Sequence, residues 1–474
     1  KHAAYLDRKE YIHLKKTILS MSQSPSYTIA GRLERLPWTS FHTKLLILLA
    51  LGEFFDLYDL FTGGFVVVPA ASFYHVGIPA SVFFTVAISF LGAFVGVLVF
   101  NIIGDALGRR TALLMNMFVM SIAYLLTPFA PNVYVYGALR FISGLGYGPE
   151  ALIVLDIMTT EFFPARIRGR ALSIGYTMSW TAPLVLAGLA YGLSGVKAPL
   201  MGWQWLFIIG GLGILTIIPF RFLIPESPRW LEVKGRIEEA ERTIQKMEAI
   251  AQREKGQLSE PAKLEVVKSQ KIPFRTLFEK EYKKRSVMLW IFEFFQTGVY
   301  YGFTSLAPTV LFEKGFTIAK SLEMSVIIYA GYFFGSLISI FIIDSKAFDR
   351  KFQVAVVALL MGIDGLAFGY STSVAALVAT GFLFGFLANI FSNAFHLYGA
   401  ELYPTRVRAF ADGAQYSLSR LGNFVWLSVL PTILVLYGSV AMFSVVFAYS
   451  VILLIDVGIF GPRASKIVVE NLST

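Results

Sequence analysis

Long, mostly apolar stretches separated by short polar breaks recur along this chain, at about 43–72, 79–103, 109–130, 132–160, 168–193 and 201–223. After a polar interval six more follow, at about 285–312, 321–343, 352–371, 373–401, 409–437 and 440–461. A helix needs ~20 such residues to cross a ~30 Å hydrocarbon core, so the pattern predicts twelve spans in two sets of six. The interval 224–284 is rich in Glu, Lys, Arg and Gln. Its stretch VKGRIEEAERTIQKMEAIAQ sets Ile237, Ala240, Ile244 and Met247 at helical spacing and predicts an amphipathic surface helix. The chain thus divides into an arm (1–42), a bundle (43–223), a linker (224–284), a second bundle (285–461) and a tail (462–474).

Composition places this pattern in a membrane. Only 15% of the 474 residues are charged and 56% are hydrophobic, whereas soluble proteins average about 25% charged. The fold class expected is therefore an all-α membrane protein. There is no cysteine, which removes disulfides, thiolate metal sites and cysteine nucleophiles. The five histidines, at 2, 13, 42, 75 and 396, have no zinc-site spacing. With no nucleophile, metal or nucleotide motif either, an enzyme is not expected, and neither is a bound cofactor.

A net charge of +10 raises the question of nucleic acid. The basic residues answer it, because they sit in alternate loops. Arg109 and Arg110, then Arg166, Arg168 and Arg170, then Lys346, Arg350 and Lys351, then Arg406 and Arg408 fall on one side with the arm and linker. The opposite loops carry only Lys197, Lys314 and Lys320. Such asymmetry sets topology, with both termini cytoplasmic. Residues 1–40 lack the short apolar core of a cleavable signal. The expected partners are a lipid bilayer, protons and a small-molecule substrate, with no nucleic acid. The expected setting is the plasma membrane, and the expected state a monomer.

The two sets of spans repeat each other. TEFFPARIRGRA and AELYPTRVRAFA share E-x-x-P-x-R-x-R, with Glu161 and Glu401 standing 240 residues apart. Asp105 and Asp344 stand 239 apart, and Glu53-Phe54-Phe55 returns 240 residues on as Glu293-Phe294-Phe295. This agreement indicates parallel six-helix repeats, which place a substrate site near mid-membrane at their interface.

Charges inside spans are costly, at least ~2.5 kcal/mol each, and mark function by default. The first span holds Glu53, Asp56 and Asp59 on one side of a helix. Arg140 in the fourth span is the strongest counter-charge. At 1.5 Å per residue it lies ~12 Å down from the outer end, and Asp59 has climbed ~24 Å from the inner one, so their depths permit pairing. The same arithmetic brings Glu53 and Glu150 to one deeper level. Two acids there raise one pKa, which suits a proton carrier. For Glu53 and Glu293 the alternative is a buried acid hydrogen-bonded between helices. Asp56, Gln296, Tyr300, Tyr301, Asn389, Asn393, Glu293 and Arg420 are the candidate substrate groups. For Asn389, Asn393 and His396 interhelical bonding is the competing role, and Arg420 either holds an anion or pairs with Glu293. Asp156 is expected to pack against the inner loops. Gly144, Gly146 and Gly148 follow no strand and so point to close helix packing, not a dinucleotide.

At GDALGRR (Gly104 to Arg110) the chain resembles the major facilitator superfamily, keeping Asp105, Gly108, Arg109 and Arg110 but with Ala106 in place of a basic residue. PESPRWL (Pro225 to Leu231) and the E-x-x-P-x-R-x-R loops resemble its sugar-porter branch. The resemblance implies a latch between the bundles formed by Asp105, Gly108, Arg109, Arg110, Glu161, Arg168, Glu401 and Arg408. It also implies that Asp59 and Arg140 form the coupling pair, aided by Asp56, Glu53 and Glu150. D-x-Y-D-L-F (Asp56 to Phe61) resembles proton-coupled phosphate symporters, and Tyr300-Tyr301-Gly302 the organic-ion branch. The paired glutamines of sugar transporters are missing, leaving Gln296. The function expected is proton-driven symport of a small organic anion, such as a carboxylate, by alternating access. The alternatives are phosphate or sugar symport, cation or drug antiport and, in a different class, a non-transporting sensor. The short stretch after the last span argues against the sensor.

Overall fold

The computed structural model describes residues 28–462 other than 152–154, 156, 262–273, 281, 343–348 and 404. Asp156, Asp344 and Lys346 lie outside the described residues, as do the side chains of Glu150, Glu401, Arg406 and Arg408. The first bundle comprises α1 (Ser40–Tyr74), α2 (Ile78–Leu107), α3 (Arg109–Phe129), α4 (Val133–Ala151 and, past residues outside the description, Met158–Phe162), α5 (Ala165–Gly192) and α6 (Gly202–Phe220). The second comprises α7 (Lys283–Thr304, resuming at Ala307–Glu313), α8 (Ile318–Ile342), α9 (Arg350–Tyr370) and α10 (Val374–Glu401). Its last two spans, α11 (405–437) and α12 (439–455), form one helix bent at Gly438. Among the described residues, eight helices are long and apolar enough to cross a membrane on length and composition alone.

Three departures from plain helix matter for the centre. A π-turn runs from Phe83 to Ala87 within α2. α5 relaxes at Trp180 between its two segments. The seventh span, expected to be continuous, breaks at Ser305 and Leu306. Pro308 explains that break: a proline ring clashes with the carbonyl four residues back and removes one helical hydrogen bond.

Within each bundle the helices cross at glycine. A Cβ on Gly92 would stand 2.1 Å from the carbonyl oxygen of Phe141, and one on Gly144 would stand 2.0 Å from that of Ser89. Only glycine lets α2 and α4 approach so closely. The crossing recurs between α8 and α10, where Gly331 and Gly335 meet the Phe382 and Phe386 carbonyls.

The arm and linker are fastened to the first bundle. A short arm helix, Ile29–Glu34, is capped by Thr28, whose hydroxyl accepts from the Gly31 amide. Arg32 bridges Glu241 and Glu248 of the linker helix Ile237–Lys255, and Arg35 also reaches Glu248. Glu34 accepts from the Ala165 amide at the start of α5 and pairs with Arg229 at 3.0 Å. Burial pushes the Glu248 carboxyl up, but hydrogen bonds from Arg32 and Arg35 outweigh it and hold the group below its ordinary 4.5. Glu241, hydrogen-bonded by Arg32, is held low as well.

The bundles meet on the side away from the arm. Phe61 and Phe65 of α1 pack on Tyr329 of α8 at 5.8 and 4.8 Å between ring centroids. Trp180 of α5 stacks on Tyr332 at 6.0 Å. Near the arm-side end of α10, by contrast, His396 is exposed.

Candidate functional site

α1 carries its acids into the interior, with Glu53, Asp56 and Asp59 all buried. Asp59 meets Arg140 of α4, Oδ1 standing 2.6 Å from Nη1, and the side chains are 1% and 0% exposed. The guanidinium is engaged on several sides, although Nη2 has no hydrogen-bond partner among the described residues. Nε donates to the Thr85 carbonyl at 2.9 Å, within the π-turn of α2, and Nη1 also donates to Ser143 Oγ at 3.2 Å. The rings of Tyr124 and Phe207 lie 5.4 and 5.6 Å from its carbon, a cation–π arrangement on the apolar side. The Tyr124 hydroxyl donates to the Asp59 carbonyl at 3.2 Å. A pair buried in this way is a charge-assisted contact shielded from water.

A second group gathers around Arg420 of α11, which is also buried. It donates to the Tyr416 hydroxyl, and its carbon lies 4.4 Å from the Tyr416 ring and 5.9 Å from the Phe90 ring of α2. Tyr301 of α7 packs on Phe90 at 5.1 Å, so aromatic rings from both bundles surround the guanidinium. Asp56, Tyr147 and Tyr301 lie within its electrostatic reach. Glu293 accepts from Gln296 at 3.0 Å, one turn along α7. Tyr300 packs between Tyr301, at 4.9 Å, and Tyr332, at 6.2 Å.

Asn389 and Asn393 are committed across the α8–α10 contact. Asn389 donates to the Tyr332 carbonyl at 2.5 Å and Asn393 to Ser339 Oγ. A buried amide must find partners, and the facing helix supplies them. These bonds are the interhelical role that the sequence set beside a substrate role for both residues. His396 stacks on Phe395 at 4.2 Å.

The latch residues hold other partners here. Asp105 pairs with Arg109 at 2.8 Å, and Gly108 takes a left-handed φ of 110° to turn the chain. The Arg110 amide donates to Glu226 at 3.1 Å, Ser227 donates to Glu161, and the Trp230 indole donates to the Asp105 carbonyl at 3.2 Å. Arg168 donates to the Phe163 carbonyl and faces Glu34 at 3.8 Å. Each of these contacts joins the first bundle to itself, to the arm or to the segment after α6.

Sequence reasoning missed the arm's clasp on the linker, because nothing local to Arg32 or Arg35 names the distant acids they meet. It also missed Gly63 and Gly64. A Cβ on Gly64 would stand 2.5 Å from the Ser305 carbonyl oxygen of the other bundle, and one on Gly63 would stand 2.9 Å from that of Thr85. Two adjacent glycines one turn beyond a buried acid were the available signal.

The profile of the family described as "Sugar (and other) transporter" matches residues 45–473. YyaJ of Bacillus subtilis (strain 168), whose name assigns it to metabolite transport, is 32% identical over 88% of this chain and 92% of its own. The niacin transporter NiaP of Acinetobacter baylyi is 28% identical over 83% of this chain and 88% of its own. Among solved structures, the xylose transporter XylE from E. coli, in a partially occluded inward open conformation, superimposes with a TM-score of 0.74. That match covers 91% of this chain and all of XylE at 17% identity, a likeness that speaks for the fold. The chain belongs to the sugar (and other) transporter family within the major facilitator superfamily: it is a multi-pass membrane transporter of small molecules and not an enzyme.

Proposed function

We propose that this transporter is a proton-driven symporter of a small organic anion, working by alternating access in the plasma membrane with both termini cytoplasmic. The observation that carries the reading is the Asp59–Arg140 pair, wholly buried yet made of one titratable acid and one permanent cation. Protonation of Asp59 cancels the attraction and leaves Arg140 to its carbonyl, hydroxyl and aromatic partners. A group whose protonation differs between two conformations supplies the differential free energy that biases one over the other. Proton uptake belongs to the outward-facing state, and release re-forms the pair.

The cargo reading rests on Arg420. A guanidinium set among tyrosines recognises a carboxylate by charge and geometry while its aromatic neighbours accept an apolar body. The similarity to a niacin transporter supports this choice, niacin being an aromatic carboxylate. A second reading, cation antiport, draws on the buried acids Glu53, Asp56 and Glu293. Uptake into vesicles by purified protein separates the readings. Asp59→Asn abolishes accumulation driven by a pH gradient while sparing exchange of labelled for unlabelled carboxylate. Undiminished accumulation by that variant, or transport of amines but not carboxylates by the parent, contradicts the proposal.

A further inference from the structure

We propose that Gly63 and Gly64 of α1 link the Asp59–Arg140 pair to the seal between the bundles, so that the state of the pair sets whether the side away from the arm is closed. The inference rests on the reading that Asp59 carries the coupling proton.

Gly63 lies four residues beyond Asp59, one helical turn along, and successive residues turn by ~100°, so Gly63 and Gly64 present different sides of α1. On the Gly63 side, a Cβ would stand 3.1 Å from Val86 Cγ2 and 3.5 Å from Arg140 Nη2. The Thr85 carbonyl oxygen that accepts from Arg140 Nε, 2.9 Å from that Cβ, thus rests where a side chain would be, and the guanidinium lies in contact just beyond. On the Gly64 side, the helix touches the break in α7 directly, and a Cβ would stand 3.1 Å from the Ser305 carbonyl carbon. That break is tied into the aromatic closure. The Tyr329 hydroxyl donates to the Thr304 carbonyl, and the Thr304 and Tyr332 hydroxyls lie 2.6 Å apart. Phe61 and Phe65 of α1 then cover Tyr329. One continuous set of contacts runs from the ion pair through two absent side chains to the seal.

With Asp59 ionised, Arg140 is drawn onto the pair and α1 sits close enough for Gly64 to reach Ser305. Protonation releases that pull, α1 recedes and the seal loosens. The titratable and charged groups that bear on Asp59 include Arg140, Tyr136 and Tyr147 of α4 and Tyr124 of α3, with Asp56 and Glu53 buried further back on α1 itself. α2 offers Arg140 the Thr85 carbonyl, α6 the Phe207 ring, and the α7 break presents Ser305.

The chain has no cysteine, so Ser305→Cys supplies a single thiol, at a buried position. A membrane-impermeant thiol reagent is applied from the Lys314 side. Its rate is divided by that at exposed Gly195→Cys, which corrects for thiol ionisation. The normalised rate should be about tenfold faster at about pH 5.5 than at about pH 8, matching a bias of ~1.4 kcal/mol between sealed and open states. Adding Gly63→Ala should flatten this pH response and that of uptake, and Gly64→Ala should give fast labelling at both pH values. Should either glycine variant not fold, Asp59→Asn, equal in size, serves in its place and should label at the fast rate throughout. A wild-type pH response in Gly63→Ala or Asp59→Asn overturns the relay. If Asp59→Asn loses gradient-driven accumulation but keeps that response, only the relay fails; if accumulation survives, the coupling assignment itself falls.

Discussion

The two bundles are repeats of one design, yet their centres are filled differently. Where the first holds Asp59 and Arg140, residues 240 positions on are Val299 and Thr380. Val299 is buried, and Thr380 spends its hydroxyl on the Ala376 carbonyl of its own helix. Aromatic stacking occupies the second bundle instead, with Phe303 at 3.9 Å from Phe384 and 4.9 Å from Phe368. One architecture closes equally well with and without a buried ion pair. Removing two charges from water is expensive, and well-packed apolar replacements are often as stable or more so. The fold therefore does not require a pair at these two positions, which suits the coupling role proposed for it above.

The largest effect expected comes from transplanting the second centre into the first. Arg140→Thr alone strands a buried carboxylate and should cost ~3–5 kcal/mol in unfolding measurements. Asp59→Val with Arg140→Thr should recover that loss while leaving gradient-driven transport abolished. Recovery of transport in the double variant breaks the comparison outright. Next in size is Arg420→Lys, which keeps the charge of the second bundle but loses the planar stack on Tyr416 and Phe90. An increase of about 10–100-fold in KM for a carboxylate is expected, with less change in maximal rate. An unchanged KM would move the anion site elsewhere.

The smallest effect belongs to the arm, which is clasped to the first bundle's side of the molecule. Glu248 and Glu241 titrate below their ordinary value in the folded protein, so their contribution is complete above about pH 4.5 and fades as pH falls through the lower folded values. Limited proteolysis after residue 36 should therefore accelerate under acid conditions, and Arg32→Ala should bring that acceleration to neutral pH. Equal cleavage of parent and variant at neutral pH would show the clasp to be dispensable.

Much of this was legible in the chain. Hydropathy marks the spans because lipid demands continuous apolar helix, and charge asymmetry marks their loops. A fixed rise per residue made the depths of Asp59 and Arg140 compatible, and the family resemblance implied that they pair. The α7 break was less visible, because proline by itself does not decide: Pro69 and Pro431 lie inside continuous helices. Whether a freed carbonyl finds other partners depends on neighbouring helices, which no local reading contains. The same applies to Asn389 and Asn393, whose amides could face a cavity or a neighbour until the α8 partner was in view. Gly63 and Gly64 offered a signal, adjacent glycines one turn beyond a buried acid, but its meaning lay in the two surfaces pressed against them.

The π-turn of α2 holds one residue more than an α-helical turn of the same rise, and the Thr85 carbonyl it presents is the one that receives Arg140. Chain length is therefore part of the design at this point. Deleting one residue between 83 and 87 would restore an ordinary helical turn, leave the flanking parts of α2 facing as they do, and remove the widened turn that presents the Thr85 carbonyl. Arg140 would lose its backbone acceptor with no charge altered anywhere. In comparing relatives, a one-residue gap across this turn carries as much functional meaning as a substitution at Asp59, although a residue-by-residue inspection of the acids and bases would not register it.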